Sequence, residues 1–192
     1  MSGMSQIYPR IIFIGDSGVG KTSLIARGAT DTFNNMTNPT VGAAVTTMKI
    51  MVENTETNFH VWDTAGQEIY RSIVPLYFKL AVCAIVVFAF DDVTSFNSLN
   101  SWIDMLQSNS DHDVPVVIVG NKCDLENKTV DIAQVKAWAE AKKYQTFFTS
   151  ARTGERVKAV FEYVAEMYVS KCKQEAQIEL NDSRPRRKKC CQ

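Results

Sequence analysis

Gly15-Asp-Ser-Gly-Val-Gly20-Lys21-Thr22 holds two glycines, a lysine and a threonine at the GxxxxGK[ST] spacing. It lies between the β-branched run RIIFIG (10–15) and a helix expected over 21–28. The glycines let the backbone curl so that its N–H groups face phosphate oxygens. The helix that follows aims its positive end at the same anion. Lys21 is placed to reach the β and γ phosphates and the Thr22 hydroxyl to ligate Mg²⁺. Ser17, Gly18, Val19, Gly20, Lys21, Thr22 and Ser23 are therefore the candidate phosphate contacts. The plain alternative is a glycine-rich turn beside an unrelated lysine. This segment indicates a nucleoside triphosphate without choosing its base.

Three further segments narrow the choice. Asp63-Thr-Ala-Gly66-Gln67-Glu68 lies at the carboxyl end of an expected strand. An Asp there can hold Mg²⁺ through water, Gly66 permits close backbone approach to a γ-phosphate, and Gln67 can orient an attacking water. Asn121-Lys122-Cys123-Asp124 follows an apolar strand. The Asp124 carboxylate can accept from both N1–H and the 2-amino group of guanine, a donor pair adenine lacks. A buried acceptor left unpaired is costly, so the discrimination is sharp. Lys122 can pack along the base, and Asn121 can tie this loop to the phosphate loop. Thr149-Ser150-Ala151-Arg152 follows the last expected strand, and the Ala151 N–H can donate to guanine O6. Each segment alone reads as an ordinary strand-end turn. Their order (phosphate, metal, base, base) makes coincidence negligible.

The elements that position these groups are legible from periodicity. Strands are expected over 45–52 and 59–63, joined through ENTETN as a hairpin, and over 82–90, 114–120 and 146–149. Helices are expected over 95–106, 132–142 and 157–173, with an irregular one over 67–79 that Pro75 interrupts. Continuous apolar strands alternating with amphipathic helices predict an α/β fold with a mostly parallel sheet covered on both faces. The hairpin supplies one antiparallel edge strand. In such sheets ligands bind beyond the carboxyl ends of the strands.

Composition bounds the rest. The 192 residues are 45% apolar and 22% charged, which excludes collagen-like, disulfide-dense and wholly disordered chains. The apolar run 81–90 is too short for a membrane span of about 20 residues. No secretory signal is recognisable at the N-terminus, and the five cysteines form no zinc or disulfide pattern, which reads as a reducing compartment. The formal charge is zero, but it is unevenly spread. Arg184, Arg186, Arg187, Lys188 and Lys189 all follow the last acidic residue, Asp182. Residues 1–183 retain sixteen basic against twenty-one acidic residues, a balance of about −5.

With these motifs in place, the sequence resembles a small GTPase of the Ras superfamily over about residues 8–172. WDTAGQE (62–68) and YRSIVPLYFK (70–79) resemble the Rab family of vesicle-traffic regulators. Pro39-Thr-Val-Gly-Ala-Ala44, Ala84-Ile-Val-Val87 and Asn127-Lys-Thr-Val130 resemble its early-endosomal branch. The resemblance implies a P-loop GTPase fold with a six-stranded, mostly parallel sheet. It implies a GTP-hydrolysing switch in which Gln67, Lys21 and Thr40 are catalytic. Thr22, Thr40 and Asp63 would bind Mg²⁺, with Thr40 contacting metal and γ-phosphate only in the GTP state. Phe33 would stack on the guanine edge, with Gly66, Asn121, Lys122, Asp124, Ser150, Ala151 and Arg152 completing the nucleotide site. Exchange factors, GTPase-activating proteins and effectors would dock on residues 33–45 and 62–79. The chain departs from the family pattern at three positions. Val45 replaces an aromatic that normally joins Trp62 and Tyr77 in an effector-facing triad, Ile69 replaces Arg, and Ala89 replaces Asp. None of these removes a phosphate, Mg²⁺ or base ligand.

The expected organisation is a GTPase domain over 8–173 and a flexible basic tail over 174–192. Cys190 and Cys191 beside the five basic residues predict prenylation and anchoring to the cytoplasmic face of an intracellular, endosomal membrane, with cycling to the cytosol. The ending KCCQ is not a C-a-a-X motif, so one or both cysteines are candidates. A nucleic-acid-binding run is the rejected alternative. Two other readings of the body are a nucleoside monophosphate kinase, which needs an arginine-rich lid and an acceptor site, and a GTP-binding scaffold that does not cycle.

Overall fold

The computed structural model describes residues 8–35, 38–67 and 72–182, and of 178–182 the backbone alone. Ile69 and the tail residues 183–192, with Cys190 and Cys191, lie outside the described residues. Six strands form one sheet in the order β2-β3-β1-β4-β5-β6. They are β1 (Arg10–Ile14), β2 (Ala43–Val52), β3 (Thr55–Thr64), β4 (Ala81–Ala89), β5 (Val116–Asn121) and β6 (Gln145–Phe148). β2 and β3 pair antiparallel, and every other pairing is parallel. This is the six-stranded, mostly parallel sheet expected from the sequence, with β2 as its antiparallel edge.

Both faces are covered, as the apolar strands require. On β1, Ile11 and Phe13 enter one core while Ile12 and Ile14 enter the other. The first core packs α1 (Lys21–Thr30) and α5 (Val157–Asp182) through Leu24, Ile25, Val160, Phe161 and Val164. The second packs α2 (Val93–Asn97), α3 (Leu99–Asn109) and α4 (Ile132–Lys142) through Phe96, Leu99, Trp102, Ile103, Leu106 and Val135.

Several boundaries differ from the sequence expectation. The hairpin turn shrinks to Glu53-Asn54, both left-handed at φ 46° and 65°, so the ladder reaches the turn. That two-residue geometry matches strand twist, and polar Thr55 and Glu56 join the ladder where β3 extends beyond its pairing with β1. The helix expected over 95–106 is two. Asp92 caps α2 by accepting from Thr94 N and Ser95 N. Ser98 Oγ then donates to Thr94 O (3.0 Å), competing with the backbone where α2 gives way to α3. Within 67–79 the described part holds a 3₁₀ turn, Val74–Tyr77, with Pro75 in its first turn, where a missing N–H costs nothing. α5 runs on to Asp182, nine residues past the expected Lys173, through helix-favouring Gln, Glu, Ala and Leu.

Candidate functional site

All four motifs fall at the carboxyl edge of the sheet. Gly15 follows β1, Asp63 and Thr64 end β3, Asn121 ends β5, and Thr149 follows β6. Together they line a cleft of about 410 Å³. At its phosphate end are Ser17, Gly18, Gly20, Lys21, Thr22, Ser23, Thr40 and Gly66, and at its base end Phe33, Asn121, Lys122, Asp124, Ala151 and Arg152. Four sequence-predicted residues stand outside the lining. Val19 is fully buried and offers its carbonyl to Asn121. Ser150 is fully buried, its Oγ accepting from Thr153 N (3.0 Å). Asp63 sits behind Thr22 and Thr40, and Gln67 is half-buried at a bend after β3.

The phosphate end is built around α1. Gly20 precedes it at φ 95°, a conformation that favours glycine, and the first turn carries no acidic residue. No acid of its own first turn therefore offsets the positive helix end that meets the cleft. Lys21 is 6% exposed, and its Nζ donates to Gly15 O and Asp16 O, both at 2.8 Å. Burial pushes its ammonium down to about 8, against the charges of Asp63 and Asp16.

Beside it three oxygens cluster. Asp63 Oδ2 accepts from Thr22 Oγ1 (2.6 Å) and Thr40 Oγ1 (3.1 Å), and the two hydroxyls lie 3.0 Å apart. Asp63 Oδ1 is buried without a hydrogen-bond partner among the described residues. Burial raises the Asp63 carboxyl above its ordinary range, while the Thr22 bond, the Lys21 charge and the Thr40 bond oppose the rise. A buried carboxylate with an unused oxygen beside two hydroxyls is a hard-oxygen donor set and fits Mg²⁺.

At the base end one amide joins three loops. Asn121 Nδ2 donates to Val19 O (2.8 Å), tying the base loop to the phosphate loop. Asn121 Oδ1 accepts from Ala151 N (3.1 Å), so the N–H assigned to guanine O6 already donates here. Lys122 adopts φ 64°, and its Nζ meets Asp91 Oδ2 at 3.0 Å. Away from the cleft, Val45 pairs with Trp62 across β2 and β3 and is 48% exposed. Trp62 stacks tilted on Tyr77 at 5.4 Å. Ala89 is fully buried in β4.

Asp91 and Arg27 are among the contributors that sequence reasoning missed. Asp91 lines the cleft just beyond β4, and the same strand-end rule finds it. Arg27 on α1 donates from Nε to Ala151 O (2.9 Å) and from Nη2 to Arg152 O (2.7 Å), clamping the loop after β6. No local pattern marks this clamp, because the two carbonyls it holds are 124 and 125 positions away.

Comparison with known proteins agrees with this geometry. Residues 10–170 match the family model of the Ras family. The GTP-binding protein ypt5 of Schizosaccharomyces pombe is 38% identical over 163 residues, which cover 83% of this chain and 77% of that protein. Ras-related protein RABA5d of Arabidopsis thaliana is 39% identical over 163 residues, covering 84% and 74%. GTP-binding protein YPT53 of Saccharomyces cerevisiae is 34% identical over 164 residues, covering 82% and 74%. These matches favour neither the nucleotide kinase nor the non-cycling scaffold. The chain belongs to the Ras family, as a Rab-type small GTPase that binds and hydrolyses GTP and regulates vesicle traffic.

Proposed function

We propose that the cleft binds guanine nucleotide with Mg²⁺ and that residues of this chain read the γ-phosphate. The observation that carries the reading is the cluster of Thr22, Thr40 and Asp63 oxygens, with Asp63 Oδ1 left over, beside buried Lys21. Thr22, Thr40 and Asp63 would hold the cation, directly or through water. Bound there, Mg²⁺ supplies charge that stabilises the phosphate oxygens during transfer. Lys21 and the backbone of residues 17–23 bind phosphate oxygens, Asp124 recognises the base, the Ala151 N–H turns to it only by sharing or leaving its bond to Asn121 Oδ1, and Phe33 and Lys122 cover it. Gln67 orients the attacking water. Phosphate loss removes the contact that keeps Thr40 and Gly66 in place, and both switch segments relax.

Without an arginine supplied by a partner, turnover is on the order of 10⁻⁴ to 10⁻³ s⁻¹. Single-turnover hydrolysis is the test. Gln67→Leu is expected to nearly abolish cleavage while nucleotide affinity stays unchanged. Unaltered cleavage removes Gln67 from the mechanism.

Rab-type membership brings exchange factors, activating proteins, effectors and association with a membrane. Residues 33–45 and 62–79 are the proposed docking surface for these proteins. No helix among the described residues is long and apolar enough to cross a membrane. Prenylation of Cys190, Cys191 or both is the proposed anchor, on the cytoplasmic face of endosomes. The similarity to ypt5 and YPT53 and the early-endosomal likeness of residues 39–44 support that address.

A further inference from the structure

The phosphate loop of this chain carries a carboxylate, Asp16, immediately before Ser17 and Gly18. The ligand proposed for the cleft is a polyanion, so a free carboxylate here repels it. Ser17 and Gly18 line the cleft and Asp16 does not. The backbone of Asp16 is engaged on the cleft side. Its carbonyl accepts from Lys21 Nζ at 2.8 Å. Gly66 lies against it so closely that an added Cβ would stand 2.4 Å from Asp16 C and 2.5 Å from Ser17 N. The side chain is engaged elsewhere: Asp16 Oδ1 accepts from the Trp102 indole Nε1 at 2.7 Å. Trp102 belongs to α3, is 1% exposed, and packs in the core with Leu99, Ile103 and Leu106. An indole N–H only donates, and this one cannot swing away.

We propose that Trp102 is a positioning residue of the phosphate site. It holds the Asp16 carboxylate on the α3 side, so that the loop presents N–H groups and Lys21 to the triphosphate without a like charge among them. Gly66, the residue assigned to the γ-phosphate, packs on Asp16, so the effect is larger for GTP than for GDP. The inference rests on reading the cleft as a guanine nucleotide site.

The test uses the full chain, stripped of nucleotide and titrated with GTP or GDP plus Mg²⁺ at low and high salt. Trp102→Phe is expected to weaken GTP about tenfold at low salt. GDP is expected to weaken less, and both losses to shrink at high salt as the repulsion is screened. Adding Asp16→Ala to Trp102→Phe is expected to restore affinity to within about twofold of Asp16→Ala alone. A core-packing role predicts the same loss in the single and double variants, and that result overturns the proposal, as does unchanged GTP affinity in Trp102→Phe. Should Trp102→Phe fail to fold, Trp102→benzothienylalanine keeps the ring shape, removes the N–H and reports the same outcomes. Failure of the unmutated protein to bind GTP would instead overturn the reading of the cleft.

Discussion

At the residue scale, single side chains join segments that are distant in sequence. Asn121 is 2% exposed and answers both the Val19 carbonyl and the Ala151 N–H. Asn121→Ala leaves both groups without that partner, at about 1–3 kcal/mol for each buried group left unsatisfied. Urea denaturation is expected to show the loss, and release of bound GDP to accelerate. Unchanged release would mean that the loops are held by other bonds. Cys123 gives a pH-dependent check on the same loop. Burial, with the Glu155 charge and hydrogen bond, pushes its thiol up to about 11. Only the thiolate alkylates, so reaction at pH 7 is expected to be slow and to rise about tenfold per pH unit up to that range. Glu155→Gln is expected to speed it, and peptide mass spectrometry after timed iodoacetamide treatment reads both effects. The four motif segments of the cleft were legible in the sequence because each sits in a fixed frame after a strand, whereas Phe33 and Thr40, between α1 and β2, are reached only through the family resemblance. Arg27 and the Trp102–Asp16 bond were not, because they arise only when α1 and α3 pack beside those strand ends.

At the element scale, periodicity foretold which helices and strands exist, and side-chain competition moved their ends. Ser98 divides a stretch whose apolar stripe reads as one helix. α5 outruns its stripe on propensity, tied to the hairpin turn by the Lys173–Glu53 ion pair. The seat of α1 on α5 was not legible at all. Gly28 on α1 faces Phe161 on α5, and a Cβ there would lie 2.2 Å from Cε2 of the ring. Phe161 is 3% exposed and packs on Phe13 at 5.7 Å, so the ring has little room to retreat. Helix propensity alone predicts that Gly28→Ala stabilises by about 1 kcal/mol. Overpacking predicts a loss of about 1–3 kcal/mol, and the shared core makes that the larger effect. Chemical denaturation of Gly28→Ala is expected to show net destabilisation, relieved when Phe161→Leu is added. Stabilisation by Gly28→Ala alone would show that α1 and α5 can separate at no cost.

At the scale of the whole molecule, the zero net charge conceals an acidic body and a basic end. About −5 on residues 1–183 cannot draw in a polyanionic nucleotide, so binding must come from local donors: backbone N–H groups, Lys21 and the bound cation. The same body is repelled by an anionic leaflet. Charges more than about 8 Å from that surface are screened at physiological ionic strength, whereas five basic residues held against it are not. Each contributes about 1 kcal/mol near the leaflet. One lipid chain alone binds only marginally, so anchoring should need both the lipid and the basic run. Membrane fractionation of cells making the full chain separates the two contributions. Cys190→Ser/Cys191→Ser is expected to move the protein to the soluble fraction, with mass spectrometry showing the lipid in the parent chain and none in the variant. Replacing Arg184, Arg186, Arg187, Lys188 and Lys189 with Gln while keeping the cysteines is expected to leave the lipid in place. Salt should then extract that variant more readily, and its loss should be greatest from membranes rich in anionic lipid. An unmodified terminus in the parent chain would sink the lipid anchor. Undiminished retention of the Gln variant would confine anchoring to the lipids alone.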